Sequence, residues 1–203
     1  MQQTITLADV TIELPLYRQF LKIGQEIGQA SNQDFCGEFN SLDIIFSPPT
    51  ELSNFRYYCT PLNSLSFART GVDGEHFSFL VVDGIVNDRS PIVVTAPMGL
   101  EGSQNAIVSQ NFRVFLQIWI RIGGFPLVDI PFRQEHALQV YTDAHWQPNE
   151  SETTYRQDLN HKAVLASVAA KLDLYPHVYT LKTFQSLQQR YIPLLQMPPE
   201  YDQ

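Results

Sequence analysis

Cysteine is scarce in this 203-residue chain, which holds only Cys36 and Cys59. Two cysteines this far apart form neither a disulfide framework nor a CxxC thiolate site, so the expected setting is the reducing cytoplasm. Positive charge is short as well. Thirteen Lys and Arg face 21 Asp and Glu, for a formal net charge of −8. Such a surface repels phosphate backbones, and a nucleic-acid partner is not expected. No apolar run is long enough to cross a bilayer. The opening "MQQTITLADVTIELP" lacks the basic region and apolar core of a signal peptide, so no membrane association is expected.

The usual signatures of chemistry are also missing. His136, His145, His161 and His177 fall in no HExxH or comparable ligand spacing, and no GxSxG nucleophile elbow occurs. Cys36 could act with a distant histidine, but a buried structural thiol is the simpler reading. Trp146 is equally readable as an exposed anchor or a core residue. The residues give no reason to expect an enzyme, a metal site or a cofactor.

What is present suits a soluble globular unit. The apolar fraction is 44%, the charged fraction is 17%, and 13 phenylalanines point to an aromatic core. The acidity lies in the first part of the chain. Residues 1–120 carry 12 acids and 6 bases, whereas residues 121–203 carry 9 and 7.

The order of elements reads as α+β. Leu16, Phe20, Ile23 and Ile27 recur at helical spacing within Leu14–Ala30, with Pro15 suited to the first turn. Short strands follow at Leu42–Phe46, Phe55–Cys59 and Leu65–Ala68, then from Glu75 or His76 to Val82, over Pro91–Pro97, and in "NAIVSQ". The segment "QNFRVFLQIWIRIGG" predicts a helix apolar on two sides, capped by Ser109 and ended by Gly123 and Gly124. Beyond it lie an irregular stretch with a strand or short helix around Glu135–Tyr141, a helix near Tyr155–Leu172, and a last helix at Leu181–Tyr191. Thr180 caps this last helix, which buries Leu181, Phe184, Leu187 and Tyr191. The tail "MPPEYDQ" is expected to fray. The expected architecture is a small, mostly antiparallel sheet flanked by helices. Residues 1–125 form the α+β part, and residues 126–203 a mainly helical extension packed on it in one globular unit.

The stretch "FARTGVDGEHFSFLVVDG" looks most like a site. Its glycines lead into an alternating strand and not into a helix, so a phosphate loop is disfavoured and Asp73-Gly74 reads as a hairpin turn. Alternation sends Glu75 and His76 to opposite faces, so a metal site built from Asp73, Glu75 and His76 would lack convergence. His76 reads as a hydrogen-bonded structural residue.

The segment Ser64–Ile120 resembles the SUKH superfamily. The resemblance rests on the glycine-rich turn entering a strand in "SLSFARTGVDGEHFSFLVVDG", the second apolar strand in "SPIVVTAP", and the helix lead "SQNFRVFLQI". Leu14, Pro15, Tyr17, Phe20 and Leu21 are similar to the family's "LPxxYxxFL" helix. "GQEIGQA" stands where the family has "NGG", and residues 121–203 fall outside the likeness. The resemblance implies a non-enzymatic binding module, such as a bacterial immunity protein that neutralises a toxin domain, often a nuclease. Such nucleases are commonly basic, and an acidic binder meets them with complementary potential. The acidic turn residues Asp73, Glu75, Asp83 and Asp88 are the expected partner contacts, although all four are also ordinary solvated turn residues. Two alternatives stand beside this. One is a regulatory scaffold of the same superfamily with no toxin, which docks through the C-terminal helical region. The other is a small-molecule-binding or hydrolytic protein with a pocket near His76 and Cys36.

Overall fold

The computed structural model describes residues 9–31, 44–48, 52, 57–99, 103–130, 159–175 and 179–199. Strand β1 (Thr11–Glu13) enters helix α1 (Pro15–Ser31) directly. Pro15 occupies the first helical position, where its missing N–H costs nothing. Strands β2 (Ile45–Phe46), β3 (Ser64–Arg69), β4 (His76–Leu80), β5 (Ile85–Asn87), β6 (Ile92–Thr95) and β7 (Asn105–Ser109) follow. Five of them form an antiparallel sheet in the order β2-β3-β4-β6-β7, and β1 pairs with β5 in a small parallel sheet. Helices α2 (Phe112–Ile122), α3 (Gly124–Val128), α4 (Leu159–Lys171) and α5 (Leu181–Tyr191) complete the order, and a 3-10 turn at Ile192–Leu194 closes it. The fold is α+β, with a mostly antiparallel sheet and helices in the C-terminal region, as the pattern of elements predicts.

The core is aromatic. From α1, Tyr17 meets Phe67, Phe79 and Phe112 edge-on at 5.7, 5.9 and 5.1 Å, and Phe20 meets Phe46, Phe112 and Trp119. From α2, Phe115 meets Phe67 and Phe77. Such edge-to-face pairs add about 0.5–1.5 kcal/mol each beyond the area they bury. Helix α2 is buried on both of its apolar lines, through Phe112, Phe115 and Trp119 and through Val114 and Ile118.

Several local expectations are corrected. Asn111, not Ser109, caps α2: its Oδ1 accepts the Val114 N–H at 2.9 Å, while Ser109 ends β7. The expected strand at Phe55–Cys59 is a turn over its described part, Tyr57–Cys59. Leu181 is exposed, and the buried apolar side chains of α5 are Phe184 and Leu187, with Tyr191 half-buried. Of the tail "MPPEYDQ" only residues 197–199 are described, and they follow an anchored residue. Gln196 donates its N–H to Asn63 Oδ1 at 2.8 Å and accepts the Leu62 N–H at 2.7 Å, and Pro198 is buried. Cys36, the segment around Glu135–Tyr141 and Trp146 lie outside the described residues.

The C-terminal elements are stitched to the first part of the chain. Gln188 on α5 pairs with the edge strand β7 as a peptide group would. The Ile107 N–H donates to its Oε1 at 2.9 Å, and its Nε2 donates to the Ile107 carbonyl at 2.8 Å. Tyr179 donates to the Val108 carbonyl at 2.8 Å, and Arg113 donates to the Leu172 carbonyl at the end of α4 at 3.0 Å.

Candidate functional site

The structure does not bring the four candidate acids together. Asp73 and Glu75 stand at the β3–β4 turn, whereas Asp83 and Asp88 follow the far end of β4. A five-residue strand separates the two groups by roughly 15 Å.

Three of the four are explained by the fold. Asp73 and Asp83 are each followed by glycine, and both pairs adopt the left-handed conformation, with φ of 50° and 75° at Asp73-Gly74 and 51° and 70° at Asp83-Gly84. Tight turns with two successive left-handed residues need such backbone, and Asp-Gly supplies it at the tip of the β3–β4 connection and in the two-residue turn after β4. Around the second pair, Val82 and Ile85 exchange both backbone hydrogen bonds. Asp88 has a different task. Its carboxylate accepts the N–H of Leu16 at 2.6 Å and of Tyr17 at 3.2 Å, and so caps α1 from 72 residues away. Its backbone carbonyl accepts the Phe112 N–H at 3.0 Å, at the start of α2. Burial raises the Asp88 carboxyl above its ordinary value, while the two amides and Arg113 oppose the rise.

Glu75 has no comparable structural reason. It is half-buried, and loss of hydration pushes its carboxyl above the ordinary range. The Thr70 hydroxyl donates to it at 3.0 Å, which counters the rise, while the negative charges of Asp73 and Asp129 add to it. Among the described residues no basic group pairs with it. Asp129 arrives from the turn after α3, a neighbour the sequence could not indicate.

His76 is fully buried at the same end of the sheet. Its Nδ1 lies 2.8 Å from the Gly74 carbonyl, which can only accept, so Nδ1 carries the proton. Nε2 is then the acceptor, and the Thr60 hydroxyl donates to it at 3.2 Å. Thr60 Oγ1 in turn accepts the Tyr57 N–H at 2.9 Å. Burial lowers the pKa of the ring and favours its neutral form. This is the hydrogen-bonded structural histidine that the strand position implies. Both faces of β4 are buried here, so alternation does not divide an inner from a solvent face. Cys59 is buried too, and its thiol is pushed up to about 11, which keeps it protonated and a poor nucleophile at neutral pH.

The same end of the sheet carries residues that reading by period misses. Tyr57 and Tyr58 sit in the turn before β3, both exposed, beside the β3–β4 and β6–β7 connections. Their aromatic and β-forming character reads as a strand, so nothing in the local sequence marks them as surface groups.

Among the described residues no cluster of His, Cys, Asp and Glu could hold a metal ion, and no helix is long and apolar enough to cross a membrane. No protein-family model, no curated protein and no solved structure matches the chain.

Proposed function

We propose that this chain is a non-enzymatic protein-binding module of the bacterial immunity type, which acts in the cytoplasm to neutralise a toxin domain with a basic surface. One observation carries this reading. Glu75 holds a half-buried carboxylate beside Asp73 and Asp129, without a basic partner among the described residues, at a cost to the folded state. A residue that destabilises its own fold is a mark of function. A cation brought by a partner would supply the countercharge that the described residues do not, and so offset the lost hydration and the smaller repulsion from Asp73 and Asp129. The net charge of −8 agrees with such a partner, as does the resemblance of Ser64–Ile120 to the SUKH superfamily. Asp83 and Asp88, which lie beyond the opposite end of β4 from Glu75, are set aside as contacts.

The test is co-expression with the product of the gene immediately upstream, where that product is toxic to the host. The intact chain is expected to restore growth. Glu75→Lys combined with Asp73→Asn, which tolerates the left-handed backbone at 73, is expected to abolish rescue while the circular dichroism spectrum stays unchanged. Binding measured with the purified pair should weaken as salt is added. A complex indifferent to salt and to both substitutions would remove the reading.

A further inference from the structure

The turn that bears Glu75 adjoins an apolar surface that the acids do not explain. Tyr57, Tyr58, Val72 and Met98 are exposed to 37, 51, 47 and 78%. Scattered exposed apolar groups need no explanation, but these four lie on connections at one end of the sheet. Val72 and Gly74 share the β3–β4 turn, and the Tyr57 ring lies over Gly74 so closely that a Cβ there would come within 2.2 Å of its Cζ. The Tyr58 hydroxyl donates to the carbonyl of Pro97, next to Met98, at 3.1 Å.

These aromatic side chains are also held in place from beneath. The Tyr57 ring stacks on the buried His76 ring at 6.2 Å and 22°. Its backbone N–H is fixed by Thr60, and the carbonyl of Cys59 accepts the Asn105 side-chain amide at 2.8 Å. Preorganised tyrosines lose little conformational freedom on binding, and they are enriched with methionine at the centres of interfaces.

We propose that Tyr57, Tyr58, Val72 and Met98 form the apolar centre of a docking surface, with Asp73, Glu75 and Asp129 as its acidic border, for a folded protein domain with a basic surface. This rests on the protein-binding reading above and gives it a location. Charge chooses the occupant: a second copy of this chain would bring another net charge of −8 against the same acids. A basic domain with an apolar patch meets complementary potential around a desolvated aromatic centre.

Photo-crosslinking in the cells that make the protein tests the assignment. Benzoylphenylalanine is placed at Tyr58, at Met98 and, as the contrast, at Ile85, which is exposed at the opposite end of β4. The expected result is one adduct from positions 58 and 98 and none from 85, with a captured protein whose isoelectric point is above about 9. With that purified protein, Tyr58→Ala and Met98→Ala should each weaken binding by about tenfold or more. Ile85→Ser should leave binding unchanged, and urea unfolding should report a folded protein for all three. A basic protein captured through Ile85 alone would overturn the surface and leave the protein-binding reading intact. Capture of a second copy of this chain, or of an acidic protein, would overturn the assigned occupant. No adduct from any position would overturn both.

Discussion

The carboxylate of Asp88 accepts the backbone amide of Leu16 at 2.6 Å, across 72 residues of chain. Leu14, the residue before α1, is apolar and cannot cap it, and the first turn of α1 holds no acid. Asp88 supplies the missing acceptor from the turn after β5, so the start of α1 depends on the sheet being assembled. The same turn receives the Phe112 N–H through its backbone, which ties the starts of α1 and α2 to one point.

Asp88→Ala should therefore destabilise the fold by about 1–2 kcal/mol, the usual loss when a cap is removed, and Asp88→Asn by part of that, because its one amide oxygen can replace only one of the two accepting oxygens and its NH2 then faces the other backbone N–H. Urea unfolding checks this. Partner binding should be unchanged by Asp88→Asn, which separates this acid from Glu75.

Glu75→Gln should stabilise the protein at neutral pH. Burial raises the Glu75 carboxyl above its unfolded value of 4.5, so the native state holds the proton more tightly than the unfolded state. Stability must then fall as pH rises above 4.5 towards the raised native value, and the loss persists at higher pH. Thermal melts across pH should show the advantage of the variant growing over that window and vanishing in acid. The same substitution should weaken partner binding.

His76 contributes with the opposite sign. Its native pKa lies below the unfolded value of 6.5, so its contribution is complete above 6.5 and is lost as pH falls towards the lowered native value. NMR of the imidazole nitrogens should show a neutral ring protonated on Nδ1 at pH 7. Thr60→Val should cost about 1–3 kcal/mol, because it leaves Nε2 and the Tyr57 N–H without the hydroxyl they share.

Gly74→Ala should move Tyr57. The left-handed φ of 75° at Gly74 is costly for alanine, and the added Cβ would lie 2.2 Å from the ring. The ring is the outer part of an exposed side chain, so it should swing off His76 without unfolding the sheet. Loss of ring-current shifts between Tyr57 and His76, with native circular dichroism, is the expected signature.

Gln188→Ala should cost about 1–3 kcal/mol, since both backbone groups of Ile107 lose the side-chain amide that pairs with them at the sheet edge. Calorimetry reads the loss, and light scattering should show faster aggregation through β7.

Much of the fold was legible because it is set locally. The period of 3.6 in "NFRVFLQIWIRI" and the short β-branched run in "PIVVTAP" specify their elements within a few residues. Thr180 caps α5 by bonding the Thr183 N–H at 3.1 Å, a contact three residues long. The candidate site was legible only in part. The Asp-Gly turn announces itself, but Tyr57 and Tyr58 read as strand, and their turn is held by Thr60, His76, Pro97 and Asn105, most of them distant in the chain.

By itself, then, the sequence determined where the principal helices and the central strands lie, where the Asp-Gly turns fall and that the chain is acidic, because propensity, period and turn chemistry act over a few neighbouring residues. Only the tertiary structure decided what each acid does. It turned Asp88 into a helix cap, left Asp83 and Asp73 as turn residues at opposite ends of a strand, and set Glu75 beside Asp129. A carboxylate's role depends on the water it loses and the charges it meets, and chain-distant contacts fix both.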